Sequence, residues 1–132
     1  MNINIVSDSS SNIFSLEGIG YKSVPLKIIS DKKEYEDVPG LNVSEMIRDM
    51  NESKEKFTTS CPNAYEWEKA FEGGDNIIAL TITSKLSGSF SAATAAAQRF
   101  KQENPDKNIY VFDSLSVGPE MQLIIEKIKE IA

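Results

Sequence analysis

"IIALTITSKLSGSFSAATAAAQRFKQENPDKNIYVF", residues 77–112, decides the fold. Its opening apolar run, Ile77 to Ile82, has the length and β-branched content of a buried strand. Ser87 or Ser89 then begins a helix that ends near Asn104-Pro105, because the residue before a proline is pushed out of the helical region. Ile109 to Phe112 is a second short apolar run. Strand, helix and strand in this order predict a βαβ unit with parallel strands and a right-handed crossover. The helix is small or apolar nearly all round, so it is expected between layers rather than on the surface. An α/β layered sandwich with a mostly parallel sheet follows.

Outward from this unit, Ile3 to Val6 reads as a buried strand ending in the polar loop "SDSSSN". Tyr21 to Ile29 reads as one strand interrupted at Pro25, which places it at a sheet edge or gives it a bulge. "SDKKEYED" reads as a turn and a short exposed strand. Val43 to Asn51 is a helix capped by Asn42 or Ser44, with Met46, Ile47 and Met50 on one face. Pro62 opens a helix reaching about Phe71, and "EGGD" stops it. Trp67 and Phe71, one turn apart, are core residues. From Pro119 a last amphipathic helix carries Met121, Ile124, Ile125, Ile128 and Ile131.

Composition narrows function. The 132 residues suit one domain, 40% hydrophobic and 26% charged, with room for a single core. A net charge of −6 with scattered basic residues argues against a nucleic-acid partner. With no histidine, Ser-His-Asp and Cys-His catalysis and His-ligated zinc fall away. No metal, cofactor or catalytic residue is expected. The single cysteine, Cys61, rules out an internal disulfide and favours a reducing, cytoplasmic location. No apolar run is long enough for stable membrane insertion.

Ligands of open parallel sheets bind beyond the carboxyl ends of the strands. Those ends are polar here: Ser7-Asp8-Ser9, Thr83-Ser84 and Asp113-Ser114 would share one rim, and Thr58-Thr59-Ser60 would reach it from just before a helix. Ser87-Gly88-Ser89 leads straight into a helix, whose free N–H groups and hydroxyls suit a carboxylate or phosphate. Each feature also has an ordinary reading. Ser87 or Ser89 serves as an N-cap, worth about 1 kcal/mol. Asp8 and Asp113 hold loops by backbone hydrogen bonds, the role favoured for both. Cys61 is a small buried or semi-buried thiol. It is the coincidence of several hydroxyl-rich segments on one rim that points to a ligand.

The order of segments "VSDSSSNI", "VPLKI" with "EYEDV", "TTSCPNAYEWEKAF", "ITSKLSGSFSAATAAA" and "VFDSLSVG" resembles the DegV family of bacterial fatty-acid-binding proteins, from about Ile3 to Gly118. That resemblance implies a two-lobed architecture, of which residues 1–132 match the N-terminal α/β lobe. It implies a long-chain fatty acid whose carboxylate is held by Thr59, Ser60, Ser87, Gly88 and Ser89, with Ser7, Asp8, Ser9, Ser84, Asp113 and Ser114 as further rim positions. It also implies a separate fatty acid kinase subunit that phosphorylates the bound carboxylate, so that the chain itself is no enzyme. Two departures stand out: Cys61 replaces a usual glutamine, and "GPEMQ" replaces a glycine-rich turn. The resemblance further implies a C-terminal lobe carrying a histidine and an arginine of the head-group site, expected to be either excised or naturally missing here.

Each enclosed CH₂ contributes about 0.8 kcal/mol, so a cleft lacking one wall is expected to bind long chains weakly and to favour a homodimer through the exposed cleft. Two other readings remain open. "TSKLSGSFS" also fits the serine-rich loop of a phosphosugar-binding domain, with Lys85 as the nearby cation, and a ligand-free structural fragment would use every hydroxyl as a cap.

Overall fold

A computed structural model describes residues 2–30, 33–53 and 57–132. Four parallel strands form the main sheet in the order β2-β1-β6-β7, from β1 (Ile3–Asp8), β2 (Gly20–Val24), β6 (Asn76–Thr81) and β7 (Asn108–Asp113). Ile77 to Phe112 is the expected βαβ unit: α3 (Ser89–Glu103) joins β6 to β7, which pair in parallel register from Asn76↔Asn108 to Thr81↔Asp113. On one face, Val6, Ile77 and Ala79 pack under α3 and α2 (Ala64–Phe71), with Trp67 and Phe71 in that core. On the other, Ile5 and Leu80 pack under α4 (Pro119–Ile131) through Met121 and Ile125. Alternation along each strand makes this possible, since neighbours point to opposite faces. Ile131, at the end of α4, is exposed.

Residues 21–29 do not make one strand. β2 stops at Val24 on the edge of the main sheet, and β3 (Lys27–Ile29) belongs to a second, antiparallel sheet ordered β4-β3-β5. Pro25 lies between them, and its missing N–H ends the β2 ladder where the chain changes sheets. β4 (Glu34–Glu36) is the short strand expected from "EYE", although Tyr35 is buried; residues 31–32, read as part of a turn, lie outside the described residues. β5 (Thr58–Ser60) is the surprise, a strand where a polar pre-helical segment was expected, paired to β3 from Lys27↔Ser60 to Ile29↔Thr58.

The helix starts are set by side chains. Asn42 caps α1 (Val43–Glu52), accepting from Glu45 N at 3.0 Å. α2 begins at Ala64, two residues after Pro62, because Asn63 and Glu66 form a capping box. The apolar face of α1 has no fully buried residue; Ile47 is 49% and Met50 43% exposed.

Candidate functional site

Where the second sheet meets the start of α3, a groove of about 640 Å³ opens. Thr59 and Cys61 of the β5 segment line one side, and Ile82, Leu86, Ser87 and Gly88 the other. Leu26, Ile28, Leu41, Val43 and Met46 supply the apolar wall, with Lys27 and Asp37 at its margin. Hydroxyl motifs nearly thirty positions apart in the chain thus meet here, Thr59 through sheet pairing and Ser87 through the crossover.

Gly88, not a serine, is the N-cap of α3, and no side chain caps that helix. Ser87 Oγ accepts from Ser89 N at 3.2 Å, tightening the turn. Gly88 has φ −79°, so no left-handed backbone requires glycine here; a Cβ would meet Cys61 Sγ at 3.5 Å, an ordinary contact. The first N–H groups of an α-helix lack intrahelical acceptors, so this uncapped start presents donors beside Ser87. Lys27 is paired with Glu66 at 3.3 Å, and that contact raises its pKa.

The other expected residues divide. Thr59 and Gly88 are exposed, while Ser60 and Cys61 are half-buried, with the Ser60 hydroxyl donating to Cys61 O at 3.3 Å. Ser89 is fully buried and its hydroxyl donates to Asp8 Oδ2 at 2.8 Å. Asp8 is likewise buried, and desolvation raises its pKa above the ordinary carboxylate value. Ser9 Oγ accepts from Leu26 N at 2.9 Å, fixing the start of the second sheet, and Ser7 donates to Asp8 O at 3.0 Å. Asp113 Oδ1 accepts from Ser84 N at 3.1 Å and Leu115 N at 3.0 Å; hydrogen bonding, led by Ser84, lowers its pKa. Ser114 donates to Ser116 O at 3.1 Å. The strand-end rim exists, and Ser7, Asp8, Ser9, Asp113 and Ser114 spend hydrogen bonds on holding its loops together.

Sequence reasoning missed the apolar wall, because Leu26, Ile28, Leu41 and Met46 come from separate short segments whose convergence depends on the second sheet. No described helix is long and apolar enough to cross a membrane.

Comparison with known proteins bears on what such a groove holds. A DegV domain-containing protein of Streptococcus pyogenes serotype M3 is 35% identical over 131 residues, covering 96% of this chain and 47% of its own length. Thus the chain spans about half the length of the curated relatives it matches. Among solved structures, a DegV family protein from Eubacterium eligens loaded with heptadecanoic acid superposes with a TM-score of 0.94 at 34% identity, over 98% of this chain and 47% of that one. The Streptococcus pneumoniae Fatty Acid Kinase (Fak) B3 protein loaded with linoleic acid does so with a TM-score of 0.94 at 33% identity, over 99% and 48%. The DegV family model itself matches residues 2–132, nearly the whole βαβ-centred domain with both hydroxyl motifs, and the chain belongs to the DegV family.

Proposed function

We propose that this chain is the head-group half of a fatty-acid-binding protein. A carboxylate sits against Thr59, Ser87 and the Gly88 start of α3, with Ser60 beside it, and the alkyl tail lies along the wall from Leu26 to Met46. The observation that carries this is the meeting of "TTS" and "SGS" on one mainly apolar groove. Neutral donors suit a single carboxylate, and the apolar wall suits a chain of methylenes. Likeness to proteins loaded with heptadecanoic and linoleic acids supports the same ligand class.

Under this reading the protein performs no bond chemistry. It presents the carboxylate to a separate fatty acid kinase subunit, and a cytoplasmic location goes with that partner. Because the groove is open to solvent, tail burial is partial, and this chain alone is expected to hold long fatty acids loosely and to pair through the groove with a second copy.

The test is an NMR amide titration of the 132-residue chain with octanoate, which carries the head group with little tail. Shifts centred on Thr59, Ser87 and Gly88, lost in a Thr59→Ala, Ser87→Ala double variant that stays folded, are expected. No shift at those amides, or a response there to inorganic phosphate instead, would overturn the reading.

A further inference from the structure

Ser89 closes one end of a buried cluster that runs from the groove, where Ile82 belongs to both, back to the end of β1. Asp8, fully buried at the end of β1, accepts on both carboxylate oxygens. Oδ1 takes the Ser10 N–H at 3.3 Å and the Ser10 hydroxyl. Oδ2 takes the Ile82 N–H at 2.8 Å and the Ser89 hydroxyl at 2.8 Å. These donors belong to the turn after β1, the residue after β6 and the first residue of α3. An ionised carboxylate is acceptor-only, and hydrogen bonds to it are roughly twice as strong as neutral ones. Ser89 in turn gives its N–H to Ser87 Oγ, so the lip of the groove and its buried anchor form one continuous turn.

We propose that Asp8 is the positioning residue of this groove: acting through Ser89, it holds the Ser87–Gly88 lip in place without touching the ligand. This rests on the carboxylate-binding reading above. A neutral amide at position 8 cannot replace the carboxylate. With one oxygen kept toward Ser10, its NH₂ faces the Ile82 N–H, donor against donor, and turning the amide over transfers the conflict to Ser10 N–H. An α3 whose start has no side-chain cap has little else to fix its first turn.

The test compares Asp8→Asn, Ser89→Ala and the double variant, each as the 132-residue chain. Amide exchange at Phe90 and Ser91 and the octanoate dissociation constant are both measured. Each single variant is expected to raise exchange at those two amides and weaken octanoate by about tenfold, and the double variant to be no worse than the worse single, as coupled partners require. Unchanged exchange, unchanged affinity in folded variants, or additive effects would overturn the proposal. If Asp8→Asn fails to fold, Ser89→Ala, which deletes one hydroxyl, decides alone. If wild-type chain ignores octanoate, the fatty-acid reading fails, while exchange at Phe90 and Ser91 still judges whether Asp8 anchors the lip.

Discussion

Asp8 holds a carboxyl where water does not reach, and the balance between burial and its hydrogen bonds sets a pH signature. Desolvation is the larger effect, so the folded-state pKa stands above the ordinary aspartate value of 3.8. Between those two values the folded protein binds more protons than the unfolded chain. Stability through this group therefore rises as pH falls through the folded pKa and levels off below 3.8. NMR titration of the Asp8 carboxyl carbon is expected to give a raised pKa, and the stability gap between wild type and Asp8→Asn should shift in favour of wild type on acidification. A pKa below 3.8 would mean that the four hydrogen bonds outweigh burial. Gly88 separates structure from binding in another way. Its backbone is ordinary and a Cβ has room, so Gly88→Ala should cost about 1 kcal/mol or less by chemical denaturation, the difference between a fair and a poor N-cap. The same methyl at the groove lip should weaken octanoate measurably; equal affinity would remove Gly88 from the site. Neither behaviour was readable from spacing alone. Ser87 and Ser89 flank the N-cap, and the sequence does not say which hydroxyl faces the groove and which turns inward to Asp8.

Helix α3 shows why small residues were demanded at the element scale. Ala93 and Ala96 are buried between the sheet and α2, next to Phe71 and Phe100. Close approach of helix to sheet leaves no volume there, so Ala93→Leu is expected to destabilise by about 1–3 kcal/mol through overpacking, read from the denaturation midpoint. A smaller loss would mean that α2 can slide away. This element was legible because its signal is local: an apolar run, a serine-rich start and a run of alanines ending before a proline. The same held for β1, β6, β7 and α4, whose expected bounds were each within a few residues of those found. The second sheet was legible only in part: β4 was expected as a short strand and β3 as the far end of a strand continuing β2, but not the sheet they form with β5. β3, β4 and β5 have three residues apiece, and "TTS" carries neither alternation nor apolar content; only pairing with Ile28 across the chain makes it a strand. Pro25 was correctly read as an interruption, but an interruption does not reveal that the chain resumes in a different sheet.

Across the whole molecule, the cores and the groove are unevenly shared. Both buried clusters flank the four-stranded sheet, packed by α2 and α3 on one side and by α4 on the other. The second sheet and α1 add little to either. β3 is half-buried throughout, Tyr35 is the buried hydrophobic of that region among the described residues, and α1 buries none. Local opening free energy follows buried apolar contact, so this unit should open without unfolding the main sheet. Native-state hydrogen exchange is expected to place the Ile28 amide, central in β3, in a subglobal opening well below the global unfolding free energy, with Ile5 and Leu80 exchanging only by global unfolding. Equal protection of Ile28 and Leu80 would show one cooperative unit. The difference matters for binding, because one wall of the groove lies on the stable sheet and α3 while the other lies on the unit that opens. A ligand bridging Thr59 and Ser87 binds the closed arrangement and neither the locally opened form nor the unfolded chain. Saturating octanoate should therefore raise both opening free energies by the same RT ln(1 + L/Kd), with L the free ligand concentration, and slow Ile28 and Leu80 alike. Slowing of Leu80 with Ile28 exchange unchanged would instead mean that the ligand stays bound when the second sheet opens, and that this sheet is not a wall of the site.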